Sequence, residues 1–369
     1  MAEPPKPGER LRRIAVLAER PEDVSRLAVS YQWAQLIHLE SYADVMWGAP
    51  AYTAIASAEA RRELDAIIVF DEFSLLSDER IAALPHDLDT LLVYITHDFW
   101  AHPLQVARFL LARRHVLMVL RHHAAQALFA RIAPELEQVY QRPGVETAIF
   151  HPQGEKQFDV LLSGSETPDY PVRQKVNRVA REHAGRLGWN LLDLTAIGQI
   201  SNPRSDQLAY APALAAAKVS PTGVNRGGLG PARLVLQYFD QSPVRPRLGE
   251  SAALLSAEQL DFYGVGRPDL LVLEIPTAGV TPRYLESFAS GTFLVGDLPP
   301  EDAQEFYRPF MEVITVDMPD EEVAAAIDRW VRDDAAREDV CALALAAVKA
   351  GETSRHRAAE LAELIRART

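Results

Sequence analysis

Cysteine is nearly missing. One residue, Cys341, in 369 leaves no intramolecular disulfide and no Cys-rich zinc or iron–sulfur site to consider. Long hydrophobic runs are missing too. Nothing approaches the ~20 apolar residues of a membrane-spanning helix. The run Ile14–Ala18, which follows a polar, Pro-rich start, is too short for the apolar core of a signal peptide. The chain is therefore expected in the cytoplasm. Positive charge is scarce: 38 Lys and Arg stand against 51 Asp and Glu, for a net −13. That balance excludes a broad basic surface for nucleic acid or anionic lipid, though not a local group of arginines around one nucleotide. G-x-G-x-x-G, P-loop and H-E-x-x-H signatures are absent, so NAD enzymes, P-loop ATPases and zinc peptidases lose support. No G-x-S-x-G elbow occurs, which disfavours a serine hydrolase of that type.

What is present is a globular composition, 48% hydrophobic and 24% charged, in a chain long enough for two domains. Short runs rich in Val, Ile and Leu recur in the first half: Ile14–Leu17, Ala43–Trp47, Ala66–Phe70, Leu91–Ile95 and Val116–Leu120. Amphipathic stretches such as Glu22–Glu40 and Pro103–Arg114 separate them. Continuous rather than alternating apolar runs suit strands covered on both faces, as in parallel α/β layers. After a flexible start (1–10), residues 11–150 read as one doubly wound domain.

A polar stretch containing Pro143, Gly144 and Pro152 follows, and the pattern restarts at Phe158–Leu162. Later strand candidates are Trp189–Asp193, Leu234–Phe239, Leu270–Glu274, Thr292–Val295 and Val313–Val316. A second α/β domain over 151–340 fits, with 223–268 as an insert and 341–369 as C-terminal helices. Val323, Ile327, Trp330 and Val331 recur at helical spacing, as do Leu361, Leu364 and Ile365. These read as packing faces.

Two strand–loop–helix corners have the chemistry to hold a nucleotide. In the first, Leu270–Ile275 leads through Thr277, Gly279 and Val280 to a helix with Thr281 as N-cap, Pro282 at its first position and Gly291 as its stop. Leu285, Phe288 and Ala289 form its buried stripe, with Arg283, Glu286 and Ser290 on the other side. Free amides at such a turn suit a pyrophosphate, and a carboxylate at Glu286 offers paired acceptors to two ribose hydroxyls. A solvated surface glutamate is the competing interpretation. In the second corner, Phe158–Leu162 leads to Ser163, Gly164 and Ser165, and Arg173 lies one turn into the next helix, within bidentate reach of a phosphate. The competing interpretation there is a polar turn with an exposed arginine. His97 and Asp98, directly after the Leu91–Ile95 strand, are candidates for sugar or acceptor contacts and for proton transfer. His122 and His123 follow the next strand, but without a recognised metal-ligand spacing, and no metal is assigned.

Several blocks resemble bacterial glycosyltransferases of the GT-B fold, in the group similar to the spore-maturation protein CgeB with its group-1-type C-terminal domain. Val145-Glu-Thr-Ala-Ile-Phe-His-Pro152 is similar to that family's hinge into the second domain. Phe158–Ser165 with Tyr170-Pro-Val-Arg173 resembles its "DV-x-F-x-G … YP-x-R", and Ala213–Pro221 its "L-x-x-S-K-I-x-L-N-P" strand. Thr281–Val295 is similar to "R-x-F-E-A-L-A-C-G-x-F-L-L", and Glu352–Ala358 to the closing "H-T-Y-x-x-R" helix.

The resemblance implies two Rossmann-like doubly wound domains facing a cleft and transfer of a sugar from a nucleotide-diphosphate donor to an unidentified acceptor. No cofactor or metal is implied beyond that substrate. Glu286 would hold the donor ribose. Thr277, Gly279, Val280, Thr281 and Arg283 would lie at the diphosphate. Ser163, Gly164, Ser165 and Arg173 would face it from the other corner, with Thr222 and Gly223 just after the Lys218 strand. His97 would reach in from the first domain, and in an inverting reaction His97 or Asp98 would act as base. One departure stands out: where retaining relatives place another glutamate, eight positions before Glu286, this chain has Ala278. The alternative is a GT-B-shaped sugar-nucleotide-binding or partner subunit without transfer activity. Acceptor, donor base, stereochemistry and homo-oligomerisation are left open.

Overall fold

The computed structural model describes residues 10–20, 30–70, 79–96, 103–164, 166, 170–195, 210–223, 232–237, 254–255, 270–275, 281–299 and 303–369. His97, Asp98, Ser165, Thr277, Gly279 and Val280 lie outside them.

In the first half, strands β1 (Arg13–Val16), β2 (Asp44–Trp47), β3 (Ala66–Phe70), β4 (Leu91–Ile95), β5 (Val116–Leu120) and β6 (Glu137–Tyr140) form one sheet in the order β2-β1-β3-β4-β5-β6. Every pairing is parallel. Helices α1 (Ser30–His38), α2 (Gly48–Ala56), α3 (Ala58–Arg61), α4 (Glu79–Ala82), α5 (Pro103–Leu111) and α6 (His123–Ile132) lie between the strands in sequence. All five residues of β3, β4 and β5 are buried, as expected of strands with a core on each face. The sixth strand is the one the apolar-run criterion misses. Glu-Gln-Val-Tyr sits at the sheet edge, where its polar residues remain partly accessible.

The second half opens with β7 (Phe158–Leu162), α7 (Pro171–Leu187), β8 (Leu191–Asp193) and β9 (Ala217–Pro221). Strands β10 (Ala232–Gln237), β11 (Leu254–Leu255) and β12 (Leu270–Ile275) follow, then α8 (Arg283–Ala289), β13 (Phe293–Gly296), α9 (Ala303–Tyr307) and β14 (Met311–Val313). The chain closes with α10 (Asp320–Arg332), α11 (Asp334–Gly351) and α12 (Ser354–Arg366). The second parallel sheet has the order β14-β13-β9-β7-β8.

The Leu270–Ile275 strand departs from expectation. It pairs antiparallel with β10 in a separate three-stranded sheet, β11-β10-β12. The strand that ends beside β13 and β7 is instead β9. An apolar run identifies a strand but says nothing about its partner, so the sheet this strand joins is not readable from the run.

Among the described residues, the outgoing segment and the C-terminal helices tie the two halves together. Val145 in the outgoing segment exchanges hydrogen bonds with the α11–α12 elbow, its N–H donating to Glu352 O at 3.0 Å and its carbonyl accepting from Ser354 N at 2.9 Å. Helix α12 then packs on the first half, where Ala358, Leu361, Ala362 and Ile365 belong to the same apolar cluster as Ile14, Trp33 and Val93. Beneath it lies a buried polar group. Arg121 donates to Gln141 Oε1 at 2.8 Å and to Gln35 Oε1, and both glutamine amides donate to Arg357 O, at 3.1 and 3.0 Å.

Candidate active site

Three parallel strands, β7, β9 and β13, bring their carboxyl ends to one edge of the second sheet, the usual location of ligand sites in open α/β sheets. Ser163 and Gly164 leave β7 there, Thr222 and Gly223 leave β9, and Asp297 leaves β13. Gly164 has φ +88, a left-handed conformation that glycine adopts without steric penalty. Helix α7 starts after Tyr170, with Pro171 in its first turn, where a missing N–H costs nothing. Its third residue, Arg173, points inward and is buried. The guanidinium donates to Gly223 O at 3.1 Å and lies 3.9 Å from the centre of the Tyr170 ring. Burial, reinforced by the neighbouring Arg283 cation, lowers its pKa to about 10, so it stays charged at neutral pH.

Helix α8 is short and buried on nearly every side: residues 284–289 are all buried, Glu286 included. Glu286 and Ser290 of the anticipated polar face are therefore interior, with Arg283 half-buried, which removes the solvated-glutamate interpretation. Its C-terminal end matches expectation. Gly291 takes φ +66, and Gly291 N and Thr292 N donate to Phe288 O and Ser287 O at 3.3 and 3.0 Å. Those are the two bonds of a Schellman cap. The N-terminal end differs. The cap position falls at Pro282, and the buried Thr281 hydroxyl makes no hydrogen bond among the described residues. Tyr284 N reaches Thr281 O at 3.4 Å, so backbone rather than side chain closes the first turn.

Arg283 leads α8 and donates from Nη1 to Ser163 Oγ at 2.8 Å. Its guanidinium lies 5.0 Å from the centre of the Tyr210 ring. Tyr210 lies in the helical segment 210–215 and hydrogen-bonds Ser163. Burial pushes its hydroxyl up to about 12, with Arg283 pulling the other way. One turn along α8, burial pushes the Glu286 carboxyl up to about 7, against the opposing pull of Arg283. The two arginines converge. A β-carbon on Gly164 would stand 2.9 Å from Arg283 Cζ as well as against Arg173.

Of the residues expected from sequence, Ser163, Gly164, Arg173, Gly223, Arg283 and Glu286 form one connected group. Thr222 lies at the same sheet edge, with its N–H bonded to Val295 O at 2.9 Å and its buried hydroxyl without a hydrogen-bond partner among the described residues. Three members were missed. Tyr170 was visible in the Tyr-Pro-x-Arg block but not recognised as a platform for Arg173. Tyr210 lies three residues before the Ala213–Pro221 block and outside it, and only the fold brings it to Arg283. Asp297 follows β13 and accepts the Tyr284 hydroxyl, at 2.6 Å through its carbonyl. In the first half, the His123 ring stacks on Tyr140 at 3.8 Å.

Chemically, the site is a buried guanidinium (Arg173) and a half-buried one (Arg283), held by aromatic faces, a carbonyl and a hydroxyl, with a carboxyl of near-neutral pKa beside them. Like charges at this separation repel, and a bound polyanion relieves that repulsion. The carboxyl can take hydrogen bonds from neutral hydroxyl groups once it ionises.

Comparison with known proteins agrees with this architecture. The chain superposes on HepE from Anabaena, solved with UDP and glucose, with a TM-score of 0.51 and 11% identity over 97% of this chain and 100% of that one. It superposes on sucrose-phosphate synthase from Thermosynechococcus elongatus with a TM-score of 0.53 and 10% identity, covering 96% and 98% of the two chains. AviGT4, a glycosyltransferase involved in avilamycin A biosynthesis, gives 0.51 and 14% identity, covering 96% and 97%. The chain thus has the GT-B fold. Residues 258–363 further match the family described as glycosyl transferase-like, so a glycosyl transferase-like region covers α8, the C-terminal helices and the strands between. No curated protein sequence matches the chain. Among the described residues no helix is long and apolar enough to cross a membrane.

Proposed function

We propose that the protein is a glycosyltransferase that takes a sugar from a nucleotide-diphosphate donor. The observation that carries this reading is the convergence of Arg173 and Arg283 on Gly164, with Glu286 on the same helix as Arg283. Two adjacent cations match the paired phosphates of the donor. The glutamate, three residues further along, matches the diol of its ribose. In this reading the arginines stabilise charge as it develops on the departing diphosphate, and the sheet-edge loops orient the donor so that binding energy goes into alignment. HepE, described with UDP and glucose, supports UDP as the first nucleotide to try. A CgeB-like subtype, a cytoplasmic location and proton abstraction by His97 or Asp98 belong to the same proposal. Since β4 ends at Ile95, those two residues follow the carboxyl edge of the first sheet in the chain.

The reading is tested by thermal stabilisation with UDP, GDP, ADP, CDP and dTDP, followed by incubation with the corresponding nucleotide sugars. Stabilisation together with release of free nucleotide is the expected result. Stabilisation without turnover for any donor favours the non-catalytic binding subunit, for which Ala278 in place of a carboxylate is the sequence argument. No stabilisation by any nucleotide overturns both.

A further inference from the structure

Two residues before β7, at the end of the strand away from Ser163, lies a lysine that the site description does not use. The Lys156 ammonium donates to Ala215 O at 2.8 Å, to Gly291 O at 2.7 Å and to Thr292 Oγ1 at 3.4 Å. Ala215 closes the segment that contains Tyr210, and Gly291 is the left-handed residue that terminates α8. Thr292 ties the same two places together, donating to Leu214 O and Ala217 O. One cation thus sits where the carbonyl-rich ends of two short helices meet, a position their dipoles favour.

Those two helices carry three members of the site: Tyr210 on one, Arg283 and Glu286 on the other. Lys156 itself is too far from the site to touch a ligand, since β7 runs about 16 Å between it and Ser163. We propose that Lys156 is a positioning residue: its charged form clamps the carboxyl ends of segment 210–215 and of α8, and so fixes the spacing of Tyr210, Arg283 and Glu286. The proposal rests on the nucleotide-site reading given above.

Among the described residues, the charged and titratable groups that face the ammonium come from α11. Arg337 opposes its charge, Glu338 favours it, and the Cys341 thiol lies close by. Burial pushes that thiol up to about 11, so it is neutral and supplies no counter-charge. Burial also lowers the lysine to about 8. The clamp therefore loses its charge under mildly alkaline conditions, whereas an arginine in its place does not.

The test compares wild type, Lys156→Arg and Lys156→Met by calorimetry with UDP from pH 6.5 to 9.5. In parallel, hydrogen exchange of the ligand-free proteins is followed in peptides covering 210–216 and 283–292, corrected for intrinsic rates. Wild type is expected to lose about three- to tenfold in UDP affinity between pH 7 and 9.5, with faster exchange in both peptides. Lys156→Met should show the weaker affinity and faster exchange already at pH 7. Lys156→Arg should bind like wild type at pH 7 and keep that affinity at pH 9.5. If wild type itself binds no UDP, the nucleotide reading has failed, and the exchange data alone decide the clamp. Exchange in the two peptides that is indifferent both to pH and to Lys156→Met overturns the proposal, as does an arginine variant that weakens with pH like wild type.

Discussion

The β-carbon that Gly164 lacks would stand 2.9 Å from Nη1 of Arg173. The same atom would press on Arg283, and the backbone there has φ +88, so a side chain is disfavoured twice. Gly164→Ala is expected to displace both guanidiniums and to cost about 1–2 kcal/mol of stability through backbone strain. UDP affinity should fall further than stability does. Thermal unfolding and calorimetry on the same sample compare the two, and unchanged UDP affinity would remove Gly164 from the site.

Arg283→Ala and Arg173→Ala should separate phosphate from nucleoside recognition. Each is expected to lose about 1.5–3 kcal/mol of UDP binding, the scale of hydrogen bonds to a charged group. Uridine affinity should change by less than about 0.5 kcal/mol. Equal losses for UDP and uridine would contradict the diphosphate assignment. Ser163→Ala, which removes the acceptor for Arg283, should act in the same direction with a smaller effect.

Glu286 makes binding and stability respond to pH in opposite senses. Its folded-state pKa, about 7, lies above the ordinary 4.5, so folding favours the neutral acid. The associated stability is full below pH 4.5 and is lost as pH rises through 7. Glu286→Gln should therefore stabilise the ligand-free protein at pH 8 by about 2–4 kcal/mol. The ribose hydroxyls, by contrast, favour the carboxylate, so UDP affinity of wild type should rise with pH up to about 7, above which loss of the Lys156 charge lowers it. After correction for ionisation of UDP itself, the glutamine variant should bind more weakly with no such rise. Calorimetry across pH 5.5–8.5 with both proteins checks the sign.

Leu361 on α12 is fully buried among first-half residues. Leu361→Ala should cost about 2–5 kcal/mol. Although the substitution lies near the end of the sequence, the loss should appear as earlier denaturant unfolding in peptides of residues 66–95, followed by hydrogen exchange. Protection loss confined to α10 and α11 would disprove this assignment of α12.

How far the fold could be read from sequence depended on how local each signal was. The five apolar strands of the first sheet announced themselves because burial on both faces demands continuous hydrophobic residues. Glu137–Tyr140, an edge strand, carries no such demand. Leu270–Ile275 was visible as a strand, but its antiparallel partner Ala232–Gln237 is set by long-range pairing that local composition does not encode. In the site, Arg173, Arg283 and Glu286 could be found because each sits at a fixed offset from a turn. Tyr210 and Lys156 could not, since their roles arise only when segment 210–215 is laid beside α8. The N-cap assigned to Thr281 failed for a smaller reason: backbone carbonyls closed the turn before the hydroxyl was needed.

The return of α12 to the first sheet bears on how the molecule is made. A ribosome will have released all six strands of that sheet long before residues 354–366 emerge. Until then the hydrophobic side of α1 and its neighbours stays uncovered, so the amino-terminal half waits as an incomplete intermediate through synthesis of the whole second half. Late closure of this kind exposes nascent chains to aggregation and chaperone capture. Deletion of residues 354–366 should therefore reduce the yield of folded protein more than its specific activity.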